Sequence, residues 1–142
     1  MIELTQKGDV AILTMNHGKA NALDLELCAA LVARFEQLRA SSARAVVVTG
    51  QGRIFSAGVD LLRLSAGGAA YVRQFLPALH KLYDTVFFFP KPVVAAVNGH
   101  AIAGGCVLAC CADRRLMARD GGRIGVTELL VGVPFPDRKS VV

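Results

Sequence analysis

The chain has 142 residues, 54% of them hydrophobic and 19% charged, with a formal net charge of +5. That length and composition suit one domain with a real core and exclude a disordered or low-complexity chain. The basic residues are scattered, only Arg114-Arg115 and Arg138-Lys139 being adjacent. With no aromatic-interleaved basic stripe, nucleic acid is not an expected partner, whereas an anionic ligand fits the charge.

The cysteines are Cys28, Cys106, Cys110 and Cys111, and none forms a C-x-x-C motif. Reduced, buried thiols are therefore expected rather than disulfides, and no metal site is expected. The opening MIELTQKGDV lacks the apolar stretch of a signal peptide, so the chain reads as a cytoplasmic protein.

In chain order, Ile2–Thr5 and Val10–Met15 read as two short strands around Lys7-Gly8-Asp9, a hairpin signal. A turn-rich connector, NHGKANALD, follows. Asp24 is placed to cap a helix running to about Arg39, with Leu27, Leu31, Phe35 and Leu38 at helical spacing. Val46–Thr49 reads as a buried strand, and GQGRIFSAGVDLLRL after it as a loop. Gly50-Gln51-Gly52 opens like a dinucleotide-binding turn. Phe55 stands where the third glycine belongs, and no acidic residue lies at the expected distance, so that reading is set aside.

Ala66-Gly67-Gly68-Ala69 reads as a flexible break. From about Ala70 to Val86 the stripe of Val72, Phe75, Leu76, Leu79, Leu82 and Tyr83 predicts an amphipathic helix facing the core, kinked or restarted at Pro77. Arg114–Ala118 reads as a strand, Gly121-Gly122 as a turn and Arg123–Gly125 as a short β segment. Thr127-Glu128-Leu129-Leu130 begins another helix, and DRKSVV forms a polar tail. Alternating strands and helices make an α/β layer fold the expectation.

The most informative stretch is KPVVAAVNGHAIAGGCVLACCAD, Lys91 to Asp113. Val93–Val97 is a continuous apolar strand run, which Asn98-Gly99 ends. Gly104-Gly105 then leads into Cys106–Ala112, a small-residue segment that suits a buried helix. The first N–H groups of a helix lack intrahelical partners, and glycine lets a ligand approach them closely. A strand passing through glycines into a helix start is thus the build of an anion or oxyanion site. The stretch is about long enough to span a bilayer, but its Asn-Gly break and Gly-Gly pair suit a loop better than lipid, so no membrane partner is expected.

Three ordered pieces, IFSAGVDL (Ile54–Leu61), PVVAAVNGHAIAGGCVLACCAD (Pro92–Asp113) and IGVTELLVGVP (Ile124–Pro134), resemble the crotonase superfamily, the enoyl-CoA hydratase/isomerase group. NHGKANALD (Asn16–Asp24) resembles that family's N-terminal connector. The resemblance implies a crotonase-like spiral of ββα turns, incomplete at the C-terminus because family members are considerably longer. Residues 1–136 would be the N-terminal portion of such a domain, and residues 137–142 a tail. It also implies an acyl-CoA thioester substrate, coenzyme A being part of the substrate and no separate cofactor being needed. A homo-trimer or hexamer is implied for a full-length member.

By the same resemblance, the backbone N–H groups of Val59 and Gly104 would form an oxyanion hole for the thioester carbonyl. Ala20, Ala22, Ala57, Val59, Asp60, Leu61 and Gly104 match segments that hold the CoA moiety; Lys19 is expected as a solvated surface lysine, with a contact to a CoA phosphate as the alternative. Hydratases of the family use two glutamates. One position is Glu128; at the other this chain has Val107. Water addition needs two proton transfers that two carboxylates share well, whereas a 1,3-proton shift needs one base. A single acid/base, Glu128, therefore favours an isomerase over a hydratase, with Asp113 as a distant substitute for the second carboxylate. The rival expectation is a non-catalytic fragment of the same fold.

Overall fold

The computed structural model describes residues 1–127. Strands β1 (Ile2–Lys7) and β2 (Val10–Met15) pair antiparallel about the Gly8-Asp9 turn. Along β2 the alternating side chains of Ala11, Leu13 and Met15 turn into the core. Helix α1 (Leu25–Arg39) starts at Asp24, whose carboxylate accepts the Leu27 N–H at 2.8 Å. It buries Leu27, Leu31, Phe35 and Leu38, the stripe its spacing predicts, together with Cys28. Strand β3 (Ala45–Gly50) then lies parallel to β2.

From β3 onward one pattern repeats. β3 is followed by β4 (Ile54–Ser56) and α2 (Leu61–Phe87). Next come β5 (Val93–Val97), β6 (His100–Ile102) and α3 (Gly104–Cys111), then β7 (Arg114–Met117) and β8 (Ile124–Gly125). The first strand of each set joins a five-stranded sheet, ordered β1-β2-β3-β5-β7. The second joins a three-stranded sheet, ordered β4-β6-β8. Each strand lies parallel to its counterpart in the next set. A chain that returns after each helix to lay a strand beside its predecessor is a spiral of ββα turns, the α/β architecture expected. α1 and α2 pack together over the core, where Phe35 meets the edge of Phe89 with ring centroids 5.0 Å apart.

The segment read as a loop after β3 holds two elements instead. β4 is a strand of three residues, and α2 begins at Leu61 rather than near Ala70, because the Asp60 side chain caps it by accepting the Arg63 N–H at 3.0 Å. The glycine break is real but internal: Gly68, at φ 55° and ψ −155°, interrupts α2. Pro77 neither ends nor restarts the helix, and the dihedrals around it remain helical. Pro77 and Arg73 are both exposed, so the carbonyl left without a helical donor sits where water reaches it. β6 was also not expected as a strand, and α3 starts at Gly104, two residues earlier than read.

The helix start at Thr127–Leu130, with Glu128, extends beyond the described residues, and the tail at 137–142 lies outside them. Among the described residues no helix is long and apolar enough to cross a membrane, and no group of three potential metal-ligating side chains assembles. Among the described residues no two cysteines are joined in a disulfide. Burial, then the Asp24 charge, pushes the Cys28 thiol up to about 12. Burial, then Cys110 and Asp84, pushes Cys111 up to about 11. Both stay protonated at neutral pH and serve as packing groups rather than nucleophiles.

Candidate active site

The connector before α1 lies against the segment before α2. The Ala57 N–H donates to the Ala20 carbonyl at 2.9 Å, Leu23 N–H to Gly58 O at 2.7 Å, and Asp60 N–H to Leu23 O at 3.0 Å. Asn21 makes this possible by adopting the left-handed conformation, φ 47°, which asparagine tolerates better than most residues. Its Nδ2 donates to Ile54 O at 3.3 Å and Phe55 O at 3.1 Å, and its Oδ1 accepts the His17 N–H at 2.8 Å. The Ser56 hydroxyl donates to Asn21 O at 2.8 Å and accepts the Gly58 N–H at 3.1 Å. Asn21 and Ser56 are both buried.

The head of α3 meets this pair of segments. Ala103, at φ 50° and ψ −122°, turns the chain into the helix; its carbonyl accepts the Val107 N–H at 3.1 Å. Among the described residues no side chain caps the helix start. A Cβ on Gly105 would overlap the Ser56 carbonyl. A Cβ on Gly104 would lie 2.9 Å from the Tyr83 hydroxyl and 3.3 Å from Val59 Cγ2. From α2, Tyr83 donates its O–H to Gly104 O at 3.0 Å. Gly58 holds φ +84°, and a Cβ there would come within 2.9 Å of the Gly104 nitrogen. Only glycines allow backbone to meet backbone this closely.

Peptide planarity fixes the direction of two N–H groups. The Gly58 carbonyl is turned to Leu23, so the Val59 N–H on the same trans peptide points the opposite way. The Ala103 carbonyl points along α3 to Val107, so the Gly104 N–H points out of the helix start. Among the described residues neither N–H is taken by a hydrogen bond.

The connector and the start of α2 line a cavity of about 360 Å³, formed by His17, Gly18, Lys19, Ala20, Ala22, Asp24, Asp60 and Leu62. Of the residues expected to hold CoA, Ala20, Ala22 and Asp60 line this cavity, as does Lys19. Ala57 does not line it but is pinned to Ala20, while Val59 and Gly104 meet at the helix head. Leu61 starts α2 half-exposed and does not line the cavity.

His17 enters the site unannounced, since a histidine in a polar turn carries no pattern. Its Nε2 lies 2.6 Å from Asp24 Oδ2, which also lies 3.3 Å from the Arg63 guanidinium; Arg63 pairs in turn with Glu26. Burial alone would raise the Asp24 pKa. The His17 hydrogen bond, the Leu27 N–H and the charges of His17 and Arg63 outweigh it and hold the carboxyl below its ordinary value.

Asp113 Oδ2 accepts the Val93 N–H at 2.7 Å and ties the end of α3 to β5. Val107 sits half-buried in the first turn of α3. Tyr83 and Ser56, read from the sequence only as core and loop, both hold backbone at the helix head.

Unbonded main-chain amides at Val59 and at the head of α3, with a lysine on the wall of the cavity that the connector lines, make a class of site suited to an anionic oxygen. The chain belongs to the enoyl-CoA hydratase/isomerase family, whose model matches residues 5–138. It is 33% identical over 151 aligned positions to enoyl-CoA delta isomerase 3 of Arabidopsis thaliana, covering 100% of this chain and 62% of that protein. The enoyl-CoA hydratase of Bacillus anthracis superposes with a TM-score of 0.88 at 29% identity, over 94% of this chain and 53% of that one. An enoyl-CoA hydratase/carnithine racemase of Magnetospirillum magneticum gives 0.88 at 32% identity, over 96% and 52%. The chain spans about half to three-fifths of the length of these relatives.

Proposed function

We propose that the protein processes acyl-CoA thioesters through an enolate, the N–H groups of Val59 and Gly104 holding the thioester oxygen and Glu128 moving the proton. The observation that carries this reading is the contact between the 57–60 segment and the head of α3, with a Gly58 Cβ position only 2.9 Å from the Gly104 nitrogen. Removing a proton from the carbon beside a thioester sends the electron pair onto the carbonyl oxygen. Fixed main-chain donors stabilise that charge, and one such donor can contribute about 3–4 kcal/mol. Ala20, Ala22 and Asp60 would line the path of the CoA moiety, with Ala57 and Leu61 flanking it.

With Val107 at the position of a second carboxylate, a 1,3-shift is favoured over hydration. Glu128 takes a proton from C2 of a 3-enoyl-CoA and returns it at C4, leaving the 2-enoyl product. Glu128→Gln is expected to lower turnover on 3-enoyl-CoA by roughly 100-fold or more, the scale of losing a general base. Faster wild-type turnover on 2-enoyl-CoA with water would instead mark a hydratase. Equal turnover by wild type and variant on both substrates would remove Glu128 from its role.

A second reading, a non-catalytic portion of the fold, rests on Val107 standing where hydratases of the family carry a second glutamate. Calorimetric titration with an acyl-CoA separates the two, since saturable binding together with turnover excludes it.

A further inference from the structure

The Val59 N–H can serve as an oxyanion donor only if its peptide is held at one angle. The flanking residue, Gly58, has no Cβ and sits at φ +84°, so its angle is set by what it bonds to and packs against rather than by a side chain. Both of its polar groups are anchored: its carbonyl by Leu23 N–H at 2.7 Å, its N–H by the Ser56 hydroxyl at 3.1 Å. A hydroxyl rotates, so it fixes a donor only when its own hydrogen is committed. Here that hydrogen goes to Asn21 O at 2.8 Å, and Asn21 is held by its side chain to Ile54 and Phe55 of β4. The relay runs from strand to Asn21, to Ser56, to Gly58, with Ser56 fully buried and Asn21 4% exposed.

We propose that Ser56 and Asn21 are positioning residues, a buried hydrogen-bond relay that aims the Gly58–Val59 peptide at the thioester oxygen. This rests on the reading of Val59 given above. Neither residue lines the cavity, so neither touches the substrate's CoA portion there. Their effect would fall on the chemical step and not on CoA binding. A misaimed donor loses much of its worth, because preorganised charge stabilisation depends on geometry within a fraction of an ångström.

The test compares wild type with Ser56→Ala and Ser56→Cys in the full chain, using three readouts. Amide exchange followed by NMR reports the relay without substrate. In Ser56→Ala the Gly58 amide is expected to exchange at least about tenfold faster relative to the core amides of Leu31 and Phe35. Turnover is expected to lose roughly 10–100-fold in kcat, with affinity for free CoA within about twofold. Infrared spectroscopy of bound, carbonyl-labelled acyl-CoA is expected to show the thioester stretch moved back toward its free value.

A folded variant with unchanged Gly58 exchange and unchanged kcat overturns the proposal. So does a loss in which every amide and CoA affinity fall together, since a purely structural role predicts that. Ser56→Cys, which keeps a weak donor of similar size, is expected to fall between the two and takes the place of Ser56→Ala if that variant does not fold. If the wild-type complex itself shows no shifted carbonyl, the enolate reading fails, while the Gly58 exchange still decides whether the relay exists.

Discussion

The Asp24 carboxylate caps α1, meets the His17 ring at 2.6 Å and lies 3.3 Å from the Arg63 guanidinium. These partners favour the charged form, so the folded-state pKa lies below the unfolded one. A depressed carboxylate contributes stability that is fully present above its unfolded pKa of about 4 and is lost as pH falls through the folded value. Asp24→Asn keeps an N-capping oxygen but removes the charge. The variant is expected to unfold at lower urea than wild type at pH 7. As pH drops below about 4 the two midpoints should converge. Urea titrations from pH 2 to 8 measure this; a gap constant across the range would show that the charge plays no role.

At the scale of elements, α2 is two helical pieces joined at Gly68, whose φ of 55° and ψ of −155° only glycine adopts without strain. The first piece carries Leu62 to the cavity and Arg63 to Asp24, so its angle matters to the site. Gly68→Ala is expected to cost about 1–3 kcal/mol at the joint. The damage should stay local: amides 64–67 exchange faster while those of Phe75 to Val86 follow global stability. Equal acceleration along all of α2 would mean that the helix is one rigid rod.

α2 also shows where sequence reasoning stops. α1 was legible because Asp24 and a stripe of Leu27, Leu31, Phe35 and Leu38 are local signals. The start of α2 was hidden by Gly67-Gly68, which looks like the beginning of a helix rather than its middle. β4 and β6, three residues each, hold their form by pairing in parallel across more than forty residues of chain, and no local period records that. The site divides the same way. Its glycines and the family motifs pointed to Val59 and Gly104, but the proposed donors there are main-chain atoms. What holds those atoms, Asn21, Ser56 and Tyr83, is visible only once the segments have met.

For the whole molecule, the spiral depends on how closely one corner can sit on another. Between β5 and β6 a Cβ on Gly99 would overlap the Arg53 carbonyl of the corner before it, and a Cβ on Gly122 would lie 2.7 Å from Gly99 O of the corner beneath. Asn98 rivets this stack by accepting the Gly50 N–H and donating to Gly52 O, both at 2.9 Å. A methyl group at Gly99 cannot be absorbed by a rotating side chain, because what it meets is backbone. It must push neighbouring corners away from each other and strain β4–β6 pairing and the Asn98 bonds together. Gly99→Ala is therefore expected to cost roughly 2–4 kcal/mol, lowering the melting temperature by roughly 10 °C. Gly8→Ala is the comparison: its φ of +57° is left-handed but nothing lies within 4 Å of the new methyl, so about 1 kcal/mol of backbone strain is all it should cost. Thermal and urea unfolding of both variants measure the difference, which reports packing between turns after conformational strain is accounted for. If Gly99→Ala proves as mild as Gly8→Ala, the corners do not bear on one another, and the two sheets would have to be held in step by their helices alone.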